Sequence, residues 1–297
     1  MDPGAFEPMN IENDQQAVEY IAALDAGADR IDTVHANGGM VWRVWGHGPT
    51  LVFLHGGSGS WTHWIRNIPY FMRDFRVVAG DLPGLGDSPS PAEPYSAESL
   101  SDIISAGIDD VVPGSEAFDL VGFSFGGIVG GHIASLQAPR MRSLTIVGSP
   151  PFGLGTTGRA NEVLPVDPGL SFEQAVALHR HNLALFMIED PSRVDALALR
   201  VHHDNLRRFR LRSRKIARTD TLAQALGRAP CTVRGVWGSE DVTAHPSVAQ
   251  IRDLFAELQP ESPFVVLPGV GHWAAYEAHA RFNGLLDEFL RGCSAAS

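Results

Sequence analysis

The sequence predicts an α/β protein: a mostly parallel, doubly wound sheet interrupted once by a helical insertion. Three observations lead there. Short, nearly continuous apolar runs alternate with segments of helical periodicity, as expected for parallel strands buried on both faces and joined by right-handed crossovers. Most of these runs end in glycine. Between about residues 150 and 228 the alternation stops and only helical patterns follow.

In chain order, residues 1–35 read as a separate amphipathic helical lead around DQQAVEYIAALDAGADRI. Strands are expected at 40–45 and 50–54, with the turn signal GHGP between them. Further strands are expected at 75–80, 118–122, 143–148, 231–238 and 263–269. Helices fall between them, at 97–112, 125–136, 246–258 and 276–290. The interruption opens with the loop SPPFGLGTTG and continues as two helical patterns, SFEQAVALHRHNLALFMI and DPSRVDALALRVHHDNLRRFRLRS. Residues 36–149 and 229–297 thus form the core, and 150–228 a helical cap inserted after strand six.

With 297 residues, 44% hydrophobic and 19% charged, the chain builds a large core and falls outside the disordered class. A net charge of −11 argues against general affinity for nucleic acid or anionic membrane. Two cysteines, Cys231 and Cys293, make neither a disulfide framework nor a Cys-based metal site. The acidic start, MDPGAFEPMNIENDQQ, lacks the apolar core of a secretory signal. No run approaches the roughly 20 apolar residues that span a bilayer. The expectation is a cytoplasmic protein acting on a small molecule, with no metal, cofactor, nucleic-acid or membrane partner; homo-oligomerisation is left open.

Chemistry concentrates where strands end. Gly122-Phe123-Ser124-Phe125-Gly126 matches G-x-S-x-G between a strand and a helix, a context that thrusts the serine hydroxyl out at the sheet edge. Helix N–H groups behind it face the same spot. A serine hydroxyl needs a base, and the base an orienting carboxylate, in the order Ser, acid, His on such a sheet. Asp241 follows a strand within GSED, with its neighbour Glu240 in reserve; His272 follows the last strand in LPGVGHW. The other candidates are expected at the surface or in packing: His35 and His47 before the serine, His179, His181, His202 and His203 in the insertion, and His279 in the last helix. The loop His55-Gly56-Gly57-Ser58-Gly59 supplies an anion site, since glycines let backbone N–H groups approach an oxyanion. The N–H groups of Gly57 and Phe125 are the expected donors.

Together, HGGSGS, DLPGLGDS (81–88), GFSFGG, GSED and GHW resemble the motif series of the α/β-hydrolase superfamily over nearly the whole chain. The insertion is similar to the cap of many members. GHWAAYEAHARFNGLLDEFL and the double glycine after His55 look like the meta-cleavage product hydrolases, which cut C–C bonds in ring-fission dienones, and their esterase relatives. The resemblance makes Trp273 a pocket wall, beside the candidates His55, Phe123 and Trp61. It departs at Phe123, where the C–C hydrolases usually carry Asn, and in the cap, where ALALRVHHDN offers Arg200 or His202 in place of their arginine.

Other signals carry less. GLGTTG at 153–158 formally fits G-x-G-x-x-G but opens the cap rather than a βαβ helix. His202-His203 and His179-x-His181 do not share helix faces, which leaves them as surface histidines. The basic run 207–215 reads as a solvated helix face paired to core acids, or as an arginine steering a carboxylate-bearing substrate. Trp61, His63 and Trp64 line the pocket or pack in the core. The reading is a serine hydrolase acting on a carboxylic ester; a C–C hydrolase is second, and a non-catalytic receptor on the same fold is the reading from another class.

Overall fold

The computed structural model describes residues 11–153 and 162–294; GLGTTG lies, beyond Gly153, outside them. One eight-stranded sheet runs through the molecule in the order β1-β2-β4-β3-β5-β6-β7-β8. Its strands are β1 (Asp29–His35), β2 (Gly38–Trp45), β3 (Thr50–Leu54), β4 (Arg76–Asp81), β5 (Phe118–Phe123), β6 (Met141–Val147), β7 (Thr232–Gly238) and β8 (Phe264–Leu267). β2 runs antiparallel to both β1 and β4, and the remaining pairs are parallel.

The helices are α1 (Asp14–Ala26), α2 (Ile68–Phe71), α3 (Ala97–Val111), α4 (Phe125–Leu136), α5 (Phe172–Phe186), α6 (Ala196–Arg207), α7 (Arg214–Ala217), α8 (Thr221–Leu226), α9 (Val248–Leu258), α10 (Ala274–Glu277) and α11 (His279–Ser294). None of those described is long and apolar enough to cross a membrane. Two apolar clusters lie one on each face of the sheet. One holds Phe53, Val121 and Val147 with Tyr20 of α1 and Phe282 of α11; the other holds Val52, Leu120 and Leu144 with Ile104 of α3 and Ile128 of α4. Side chains alternate between faces along a strand, so a run that is apolar at every position serves both clusters.

The expected helical lead needs a correction. Among its described residues only 14–26 are helical; 29–35 is the edge strand β1, paired with β2 from Asp29↔Val44 to His35↔Gly38. Ile31 and Val34 stand three apart and mimic a helical stripe, but Ile31 and Thr33 turn inward while Val34 is 83% exposed. Asp29, Arg30 and Asp32 face solvent, the charged decoration that keeps an edge strand from pairing further.

Between β6 and β7 the chain leaves the sheet to form α5 through α8. Helix α6 is held to the core at several points. Asp195 caps it, accepting from Ala198 N–H at 2.9 Å, and also meets the Arg66 guanidinium and the Tyr276 hydroxyl (2.5 Å). Beyond its other end, Arg208 pairs with Asp87 at 2.9 Å, and Arg210 donates to the carbonyls of Gly86 (3.0 Å) and Ser88 (2.6 Å). In the middle, Arg200 pairs with Asp14 of α1 at 2.5 Å and lies over the Phe172 ring. Arg208 and Arg210 of the basic run are therefore bound to the core, and Arg200 faces α1.

The cap histidines were expected at the surface or in packing; two of them are packed in the interior. His179 and His203 sit between α5 and α6, with His179 Nε2 2.9 Å from His203 Nδ1 and the His202 ring 5.1 Å from that of His179. Helices α5 and α6 pack face to face, so histidines on different helices meet where pairs on one helix could not. Among the described residues no group of His, Cys, Asp and Glu is arranged to hold a metal ion.

Burial lowers His179 to about 4 and His202 to about 3, with neighbouring imidazoles adding to the effect. An unfolded histidine titrates near 6.5. Between these limits the folded protein binds fewer protons than the unfolded chain, so this stability is complete above about pH 6.5 and is lost as pH falls. Thermal unfolding is thus expected at a lower temperature near pH 5 than near pH 7.5, and with a shallower pH slope in His202→Gln. An unchanged slope in the variant would remove His202 from the account.

Candidate active site

Strand register gathers the motif residues at one sheet edge. Leu54 pairs with Gly122, Phe123 with Val147, Val147 with Val236, and Gly238 with Leu267. The residues just past these pairs, His55-Gly56-Gly57, Ser124, Gly148, Asp241 and His272, are therefore neighbours in space although the chain separates them widely.

Ser124 occupies φ 50°, ψ −114°, a conformation costing a non-glycine residue about 1–3 kcal/mol. The surroundings impose it: Ser124 N–H donates to Val147 O at 2.8 Å, and Ser124 O accepts from Gly127 N–H at 3.0 Å. The flanking glycines make the turn feasible. A Cβ on Gly122 would stand 2.5 Å from Gly126 O, and one on Gly126 2.3 Å from Leu54 O. The serine is thereby lifted to the start of α4.

His272 Nε2 lies 3.1 Å from Ser124 Oγ. On the other side of the ring, His272 Nδ1 is 2.9 Å from both carboxylate oxygens of Asp241. Asp241 Oδ1 also accepts from the Thr243 N–H (2.8 Å) and hydroxyl (2.7 Å), so the carboxylate is locked in rotation. Asp241 and His272 are buried and Ser124 is half-buried. Glu240, the reserve acid, is exposed. Gly148 was not singled out in the sequence: its φ is +57°, and a Cβ there would stand 3.0 Å from Asp241 Oδ2 and 3.2 Å from His272 Nδ1. A glycine ending the strand after the serine's own is the signal that would have found it.

The backbone N–H groups of Gly57 and Phe125 donate to no protein acceptor among the described residues. A Cβ on Gly56 would lie 3.1 Å from Ser124 Cβ, and one on Gly57 3.8 Å from Phe125 Cβ, so the glycine loop and the start of α4 face one another. The neighbouring Gly56 N–H is already committed to His63 Nδ1 at 3.3 Å.

The four candidate pocket residues divide. The Phe123 ring lies 4.9 Å from that of His272 and 5.5 Å from that of His63. Trp273 donates its indole N–H to His63 O at 3.0 Å and stacks on Tyr276. His55 is spent on the backbone instead, donating from Nδ1 to Gly56 O (2.7 Å) and accepting the Leu82 N–H at Nε2 (2.9 Å). Trp61 packs on Trp45 and beneath the Arg43 guanidinium, and its backbone N–H donates to Asp81 Oδ1; it is a core residue, as is Trp64 stacked on Phe53. The cap adds Phe186, with its ring 5.7 Å from that of His272, a residue that no sequence motif marks.

A Ser124–His272–Asp241 hydrogen-bond chain thus stands at the carboxyl end of a parallel sheet, with N–H groups beside it that have no protein acceptor among the described residues. The family profile described as Alpha/beta hydrolase family matches residues 51–285. The chain belongs to that family. This alpha/beta hydrolase is 29% identical over 262 residues to the dihydrolipoyllysine-residue acetyltransferase component of an acetoin cleaving system from Pseudomonas putida. That match takes in 82% of this chain but 64% of the relative, so the hydrolase spans less than two thirds of that relative's length. It is 26% identical over 261 residues to a 2-hydroxy-6-oxononadienedioate/2-hydroxy-6-oxononatrienedioate hydrolase from Comamonas testosteroni, covering 82% of this chain and 88% of the relative. Among solved structures, an esterase from Rhodococcus sp. ECU1013 superposes with a TM-score of 0.74 at 20% identity, over 89% of this chain and 98% of that one.

Proposed function

We propose that this alpha/beta hydrolase cleaves a carboxylic ester through an acyl-enzyme. The observation that carries the reading is the unbroken hydrogen-bond chain Ser124 Oγ–His272 Nε2 and His272 Nδ1–Asp241. Ser124 attacks the ester carbonyl while His272 Nε2 takes its proton. Asp241 stays ionised, holds the Nδ1–H tautomer and stabilises the imidazolium. The Gly57 and Phe125 N–H groups receive the oxyanion, each worth about 3–4 kcal/mol in such sites. The tetrahedral intermediate collapses, His272 protonates the departing alcohol, and water deacylates Ser124 by the same route in reverse.

C–C hydrolysis of a ring-fission dienone by the same triad is the second reading, favoured by the activity for which the Comamonas testosteroni relative is named. Phe123 supports the ester: it sets an apolar ring against His272 where the C–C enzymes usually place Asn. Assaying a short p-nitrophenyl ester beside a ring-fission dienone separates the two. Faster turnover of the ester is expected, and dominant turnover of the dienone would reverse the order.

A further inference from the structure

Glu277 stands five residues beyond His272, on α10, and is buried. No ion pair among the described residues reaches it. Its carboxylate instead accepts three backbone N–H groups: Gly271 at 2.7 Å and Glu189 at 3.1 Å on Oε2, and Asp190 at 2.8 Å on Oε1. Several such donors are what permit a carboxylate to leave water. The donors come from two different places. Gly271 immediately precedes His272, whereas Glu189 and Asp190 belong to the cap segment that follows α5.

On the other side of His272 the same two segments meet again, where Trp273 N–H donates to Met187 O at 2.7 Å. The loop carrying His272 is thus fastened to cap residues 187–190 both before and after the imidazole, and Phe186 sets its ring against it.

We propose that Glu277 is a positioning residue that fixes His272 relative to the cap, so that the segment covering the substrate also sets the general base. The proposal rests on the Ser124–His272–Asp241 reading. A carboxamide cannot replace the carboxylate, because its NH2 would confront an N–H donor.

The test compares wild type with Glu277→Gln in the full chain. The readouts are the rate of fluorophosphonate labelling, ester kcat and KM, and hydrogen exchange at Gly271, Glu189 and Asp190. Labelling rate and kcat are expected to fall together by about tenfold or more, since misplacing a catalytic group by about 1 Å can cost about 100-fold. KM is expected to stay within about twofold, as for an interaction made in the transition state alone, while the three amides lose protection.

Gly271→Ala, whose Cβ would stand 2.8 Å from Glu189 N and 3.2 Å from Glu277 Oε2, wedges the same junction and serves if Glu277→Gln does not fold. A variant that melts earlier yet is labelled and turns over like wild type overturns the proposal alone, leaving a purely structural carboxylate. Wild type that resists labelling removes the nucleophile reading, and this proposal with it.

Discussion

Ser124→Ala and His272→Ala are each expected to lower ester turnover by about a millionfold, and the double variant no further than either alone. On the proposed acyl-enzyme route the hydroxyl and imidazole 3.1 Å apart act as one unit: an unactivated serine is a poor nucleophile, and a base without a nucleophile has nothing to deprotonate. A residual rate of about a thousandfold or more over water should survive, since the Gly57 and Phe125 donors remain. Fluorophosphonate should label wild type and fail on Ser124→Ala, with both proteins showing the same circular dichroism. Additive losses in the double variant would show that the two groups act separately. Labelling that persists in Ser124→Ala would place the nucleophile elsewhere.

Arg43→Met is expected to destabilise the fold by about 3–5 kcal/mol, the usual cost of stranding a buried charge. Arg43 is 2% exposed and reaches Asp25 of α1, Asp81 at 3.1 Å and Asp87 at 2.6 Å. Asp81, only 1% exposed, would keep just the N–H groups of Trp61 and Asp87 as partners. Arg43→Lys should rescue little, because one ammonium cannot serve three carboxylates as a planar fork does. Urea unfolding measures both variants. A loss below about 1 kcal/mol for Arg43→Met would put the network in the class of surface ion pairs.

The centre of the sheet was legible because its signals are local. Strands β3, β5, β6 and β7 are near-continuous apolar runs, and helix α4 begins at the residue after the serine, as its motif requires. Ser124, Asp241 and His272 come together because each follows such a run, and parallel register brings the ends of runs to one edge. β1 was missed because its alternation is written in polar residues; Asn37-Gly38, next to a two-residue connection, was the available hairpin signal. The supporting residues were harder for a different reason. Gly148 and Glu277 matter through contacts with segments far along the chain, and no periodicity encodes those distances. His55 and Trp61 illustrate the converse: being next to a motif did not determine which way their side chains turned. The arginines and the lysine of the basic run are solvent-exposed and one pairs with a core acid, Arg208 with Asp87, as read; the carbonyls that receive Arg210 lie more than a hundred residues earlier, and no local signal points to them.

The fastening of α6 has an engineering consequence. A beam clamped at both ends bows but does not pivot, so side chains along α5 and α6 are best changed while the segment stays in place. Exchanging the whole segment for that of a relative is a different undertaking. Arg66 and Tyr276 receive one end through Asp195, and Asp87 receives the other through Arg208. A transplanted segment lacking the matching acid and base would leave those sockets empty, with the Arg66 charge partly out of water and unpaired. A chimera should therefore carry its donor's equivalents of these three core residues along with the helices.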